Sequence, residues 1–145
     1  MKISTKGLYA VRLMLFLADH ADDGLIPLKR VSTSTLLSKK YLEQITPSLS
    51  QAGLIKSVRG ASGGYKLARS AEKITFLDII QATEGVIAPT SCLETEQVEC
   101  NFPSLCGELP VWQGLKDVIE EYLAGVTLQS VLEQQRANSA DYYSI

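Results

Sequence analysis

Residues 38–67 read SKKYLEQITPSLSQAGLIKSVRGASGGYKL, and the fold is decided in this stretch. Ser38 is a good helix N-cap, because its hydroxyl can accept from a first-turn N–H. Leu42, Ile45 and Leu49 then recur at spacings of three and four, one apolar stripe of a helix, and Gly53 is a fitting stop. Lys39, Lys40, Tyr41, Glu43 and Gln44 fall outside the stripe, where they can face a partner. Pro47 interrupts the pattern. It lacks a donor and crowds the carbonyl four residues back, which predicts a kink or local break near Glu43. The second half has strand-like ends, Ile55–Val58 and Tyr65–Leu67, around a Gly-rich tip headed by Arg59. A helix followed directly by a basic-tipped hairpin is the plan of a winged helix-turn-helix, with Arg59, Ser62 and Gly63 on the wing. An ordinary helix and hairpin in a small α/β domain would carry the same periodicities.

Charge separates the two. Residues 1–74 hold 12 of the 14 Lys and Arg against five acids, a balance of +7, whereas residues 75–145 stand at −9. The overall −2 hides this split. Cations gathered on one module are what phosphate neutralisation needs, since each neutralised phosphate releases counterions. The acidic half is repelled by DNA and should lie away from it. Double-stranded DNA is therefore the expected partner. The reading head is Lys39, Lys40, Tyr41, Glu43 and Gln44 with Arg59, Ser62 and Gly63.

At 145 residues and 46% hydrophobic, the chain suits one globular domain, or one domain with an appended oligomerisation element. The apolar run Leu8–Ala18 is about half a membrane span, and Arg12 interrupts it. No small-x-small cleavage pattern follows, so the expected location is cytoplasmic, with no membrane partner. Two regions are expected. Residues 1–74 form the winged helix-turn-helix, and residues 75–145 carry a loop (86–107), a helix over about 110–124 and a C-terminal helix.

In more detail, Ser4 or Thr5 caps a first helix to about Asp19, buried on several sides. Asp22-Asp23-Gly24 is a turn, and Pro27 opens a short helix from Leu28 to about Ser32. Thr33–Leu37 then form the turn before Ser38. Thr75 caps a helix from Phe76 to about Thr83 that Gly85 ends. Val111, Trp112, Leu115, Val118, Ile119 and Tyr122 share one face of the 110–124 helix, a candidate seam for a twofold homodimer. Thr127 caps a last helix carrying Leu128, Val131 and Leu132, and Asn138–Ile145 are expected to be loose. The fold class is thus mostly α with a small β-hairpin, a winged helix-turn-helix plus a long dimerisation helix.

Cys92, Cys100 and Cys106 lie in the 86–107 loop, with seven and five residues between them. Thiolates at short spacing suit a soft metal or an iron–sulfur cluster. Zinc is a second possibility, although the tight cysteine pair of structural zinc sites is missing. A thiol switch is a third, and small buried hydrophobes a fourth. Three cysteines this close do not form a secreted disulfide framework. No nucleotide loop, nucleophile elbow or well-placed Cys–His pair supports an enzyme. A protein–protein adaptor would use the same winged helix without DNA.

The start MKISTKGLYAVRLML, the helix KKYLEQI, the wing AGLIKSVRGASGGYKLA and a cysteine loop before a Trp-containing helix resemble the IscR-type iron–sulfur transcription regulators. These belong to a bacterial winged-helix family that also holds NsrR and CymR. The likeness covers nearly the whole chain. It implies a homodimer with long helices crossing at the seam and a helix-turn-helix pair reading a partial inverted repeat. It also implies a cluster, [2Fe–2S] favoured over [4Fe–4S], that changes DNA affinity or site choice at iron–sulfur biogenesis genes. A nitric-oxide or thiol-redox regulator of the same family, or a zinc-stabilised DNA-binding protein, is the alternative. The chain departs from the type in two ways. The first cysteine interval has two extra residues, and Leu109 stands where IscR-type proteins place a histidine ligand. The aspartate that NsrR-type proteins draw from the first helix is Leu8 here, and the one histidine is His20. Glu108 is the nearest candidate for a fourth ligand, with Glu94, Glu96, Glu99, water or a small thiol as rivals.

Overall fold

A computed structural model describes residues 1–95 and 106–143. The described chain forms six α-helices and one antiparallel hairpin. In order these are α1 (Thr5–Asp19), α2 (Leu28–Thr35), α3 (Lys39–Gln51), β1 (Ile55–Val58), β2 (Gly64–Leu67), α4 (Phe76–Glu84), α5 (Leu109–Ala124) and α6 (Leu128–Tyr143). Short 3-10 turns lie at Ala21–Asp23 and Ser91–Leu93.

Local chemistry accounts for most boundaries. The Ser4 hydroxyl accepts from Gly7 N–H to start α1, and Ser38 does the same for Tyr41 N–H to start α3. Thr75 and Asp78 form a full capping box on α4. At the end of α3, Gly53 turns left-handed, and Leu54 N–H donates back to Leu49 O at 3.0 Å.

Three expectations need correction. The second helix runs to Thr35 rather than Ser32. Thr33 and Thr35 hydroxyls donate to the carbonyls of Lys29 and Val31, four residues back, and hold the extra turn. The turn into α3 then shrinks to Leu36–Ser38, with Leu36 left-handed at φ 61°. Helix α3 runs through Pro47 without a break. Proline removes the N–H that would serve Glu43 O, and the buried Thr46 hydroxyl donates to that carbonyl instead, at a long 3.5 Å. The last helix continues to Tyr143, past the expected loosening at Asn138. Arg136 on α6 pairs with Asp19 at the end of α1 at 2.9 Å.

The hairpin register sets Ile55 opposite Leu67, Lys56 opposite Lys66, Ser57 opposite Tyr65 and Val58 opposite Gly64. Tyr65 also exchanges backbone bonds with Ile26 at 2.8 and 2.9 Å, so β2 runs between β1 and the residue-26 segment. The glycines beside the tip serve this packing. A Cβ on Gly63 would meet Val58 O at 2.1 Å, and one on Gly64 would meet the Ile26 backbone at 2.6 Å.

The core gathers Leu13, Met14 and Leu17 of α1 with Leu42, Ile45 and Leu49 of α3, Ile79 of α4, and Leu128 and Leu132 of α6. The apolar stripe read from residues 38–53 is therefore the buried face of α3. Phe76 N–H donates to Val126 O and Leu128 N–H to Ile74 O, stitching the start of α4 to the start of α6. Packing thus continues across residue 74. Helix α5 differs from the rest because it buries no residue.

Candidate nucleic-acid interface and cysteine loop

With its stripe buried, α3 turns Lys39, Lys40, Glu43 and Gln44 outward, all exposed. Between α3 and the hairpin lies an open cleft of about 410 Å³. Lys29, Lys39, Glu43 and Arg59 line it together with Pro47 and Tyr65. Lys39 and Glu43 sit one turn apart with Nζ and Oε1 at 3.8 Å, a loose exposed pair worth little on its own. Three cations face a single carboxylate among the charged groups on this lining. The cleft is therefore net positive and suited to a phosphate chain.

Of the expected reading residues, the structure brings Lys39, Glu43, Arg59 and Gly63 to this cleft. Lys40 and Gln44 lie on the neighbouring exposed face of α3, and Ser62 is exposed at the hairpin tip. Tyr41 is placed differently. It is half-buried against the core, and its ring meets Tyr9 of α1 edge-on with centroids 5.1 Å apart. The Arg12 guanidinium lies over Tyr9 at 5.6 Å. Tyr41 thus ties the start of α3 to α1. Lys29 was absent from the expected set. Its signal was the Pro27-Leu28-Lys29 opening of α2, whose uncapped first turn reaches the cleft rim and favours negative charge there.

Cys92 sits in the Ser91–Leu93 turn, half-buried, with the Thr90 hydroxyl 3.1 Å from its Sγ. Cys106 is half-buried shortly before α5 begins. Cys100, Glu96 and Glu99 lie outside the described residues. Glu108 takes the N-cap position of α5, exposed, with no side-chain capping bond. Among the described residues, no three His, Cys, Asp or Glu side chains come together. His20 closes α1, its Nδ1 2.9 Å from Phe16 O and its ring stacked on Phe16 at 4.2 Å. Leu8 is exposed on α1. Two half-buried thiols are soft donors, so the described part of the loop fits an iron–sulfur cluster in kind.

A family model described as "Rrf2: Iron-dependent Transcriptional regulator" matches residues 3–134. The chain belongs to the Rrf2 family. Among Rrf2 relatives, the HTH-type transcriptional regulator CymR of Bacillus subtilis is 39% identical over 131 residues, covering 90% of this chain and 89% of CymR. The solved structure of CymR, the global cysteine regulator of B. subtilis, superposes with a TM-score of 0.74 at 38% identity. That match covers 92% of this chain and 98% of CymR. T. potens IscR superposes with a TM-score of 0.72 at 39% identity, covering 93% of this chain and 88% of IscR. The protein is therefore a transcriptional regulator with the winged-helix architecture of the Rrf2 family, and its relatives are regulators rather than enzymes.

Proposed function

We propose that this Rrf2 protein is a cytoplasmic, DNA-binding homodimer whose cysteine loop carries an iron–sulfur cluster as its signal. The observation behind the DNA reading is the cleft that joins Lys29, Lys39 and Arg59 with Glu43 between α3 and the wing. In this reading α3 enters the major groove. Lysines near its start meet phosphates, Gln44 bonds an adenine edge, and Glu43 accepts from a cytosine amine. Arg59 enters the adjacent minor groove or clamps a phosphate.

The homodimer reading rests on α5. Val111, Leu115, Val118 and Tyr122 are exposed on it, from 42% at Leu115 to 71% at Tyr122. Such a run of large apolar side chains on one helix suits burial against a second copy across a twofold axis.

Cys92, Cys100 and Cys106 would hold the cluster, [2Fe–2S] before [4Fe–4S], with Glu108 as the proposed fourth ligand. The cluster, when bound, supplies a redox- and oxidant-sensitive anchor on these thiolates. Cys92 follows α4 and Cys106 precedes α5, so thiolates drawn together there fix the start of α5 relative to α4. Because α5 carries the proposed seam, this sets the spacing of the two recognition helices and so the choice of operator. Likeness at similar identity to CymR and to IscR supports a second reading, in which the same cysteines answer thiol oxidation without a cluster.

The DNA reading is tested by selecting duplexes from a random library and titrating the winners against wild type and Arg59→Ala. Wild type should enrich a partial inverted repeat. Arg59→Ala should flatten the plot of log affinity against log salt by about one counterion if the contact is to phosphate. An unenriched library with no salt-dependent binding would refute DNA reading.

A further inference from the structure

Lys56 and Lys66 stand directly opposite each other across the β1–β2 ladder. Like charges in that relation repel at close range and weaken the hairpin. Both are exposed, and among the described residues neither enters an ion pair. The hairpin thus keeps an unfavourable pair with no ion-pair partner among the described residues. Arg69, two residues past β2, extends the strip, and it shares with Lys66 the lining of a cavity of about 500 Å³. Glu72 also lines that cavity, so the balance there is two cations to one carboxylate.

The position of the pair is as telling as its charge. Side chains alternate faces along a strand. Neither Lys56 nor Lys66 is among the residues lining the cleft between α3 and the wing, and Lys66 lines a separate cavity with Leu17 and Ala18. Lys56 shares the face of Lys66 by register. A straight duplex seated against α3 would meet the hairpin tip and the cleft beside it. Lys56 and Lys66 lie outside that cleft, where backbone continuing past the wing would reach them.

We propose that Lys56 and Lys66, with Arg69, form a second phosphate-binding strip that holds duplex DNA flanking the operator core. The strip rests on the DNA-binding reading above and extends its footprint outward from the twofold axis. Flanking backbone bent toward the protein supplies the negative charge that relieves the cross-strand repulsion.

The test compares wild type, Lys56→Gln/Lys66→Gln and Lys66→Glu on two duplexes. Both carry the same selected core, one trimmed at its ends and one extended by about one helical turn on each side. Wild type should prefer the extended duplex, and the double variant should lose that preference while binding the trimmed duplex like wild type. On the extended duplex the double variant's salt slope should fall by about two, so its disadvantage shrinks about tenfold between roughly 50 and 200 mM salt. Lys66→Glu should also lose the preference while unfolding at a higher temperature than wild type, because the introduced carboxylate would face Lys56 as an opposite charge. That pairing of outcomes separates lost contact from lost fold. Equal binding of both duplexes by wild type and double variant would overturn the strip and leave the face to an acidic protein partner. Wild type that binds neither duplex would refute the DNA-binding reading itself, and the strip with it.

Discussion

Glu84, the last residue of α4, caps the first helix from 80 positions away. Its Oε1 accepts from Ser4 N–H at 3.1 Å and also from the Ser4 hydroxyl. That hydroxyl in turn accepts from Gly7 N–H, so one carboxylate and one serine serve two of the free N–H groups at the start of α1. A Cβ on Gly7 would lie 2.5 Å from the same carboxylate oxygen, so Gly7 leaves room for it. The residues that follow Glu84 lead toward Cys92, and α1 touches α3 where Lys6 Nζ donates to Ser48 Oγ at 3.4 Å. The end of α4, from which the chain runs on to Cys92, is thereby held to the start of α1.

Glu84→Ala should cost about 1–2 kcal/mol of stability, the usual range for a half-buried charge-assisted hydrogen bond, while Glu84→Gln, which keeps an acceptor, should cost less. Urea unfolding measures both. An Ala variant as stable as wild type would show that water replaces the cap without loss.

Glu43 lines the cleft between α3 and the wing among cations, and a carboxylate beside phosphates is costly unless a base donor meets it. Glu43→Ala should therefore relax sequence preference while keeping or raising general affinity, since it also releases Lys39 from its loose pair. Library selection with the variant checks this. An unchanged consensus would remove Glu43 from the reading role.

Leu36 combines a left-handed backbone with 91% exposure in the turn between α2 and α3. Its side chain gains little from burial and bears the steric cost of φ 61°, so Leu36→Gly should stabilise the protein by about 0.5–1 kcal/mol. A rise in melting temperature with unchanged DNA binding is the expected result. A fall would mean that Leu36 makes a contact on assembly, which a concentration series would reveal.

How much of this was legible in the sequence follows from the range of the forces involved. Caps act within a turn, so Ser38, Thr75 and Gly85 set boundaries that reading alone could find. The wing was equally open, because strand ends and a Gly-rich tip are local signals. The length of α2 was not, because Thr33 and Thr35 are weak helix formers whose hydroxyls bond back to the helix. Pro47 misled for a similar reason, with Thr46 serving the carbonyl that proline leaves. Tyr41 lay outside the apolar stripe and read as outward-facing, yet its partner Tyr9 comes from another helix. The Ser4–Glu84 cap and the Lys56–Lys66 opposition depend on tertiary placement and register, which periodicity alone does not fix.

The most direct measurement is binding of one selected duplex by protein with and without its cluster, under strict anaerobiosis. Wild type reconstituted with iron and sulfide should show visible absorption, yield both elements in matching assays, and differ from the cluster-free protein in affinity or choice of duplex. Cys92→Ala, Cys100→Ala and Cys106→Ala should each lose the chromophore, remain folded dimers and bind DNA like the cluster-free form. Uptake of zinc with no sulfide-bearing chromophore, and one binding curve shared by treated and untreated protein, would contradict the iron–sulfur reading.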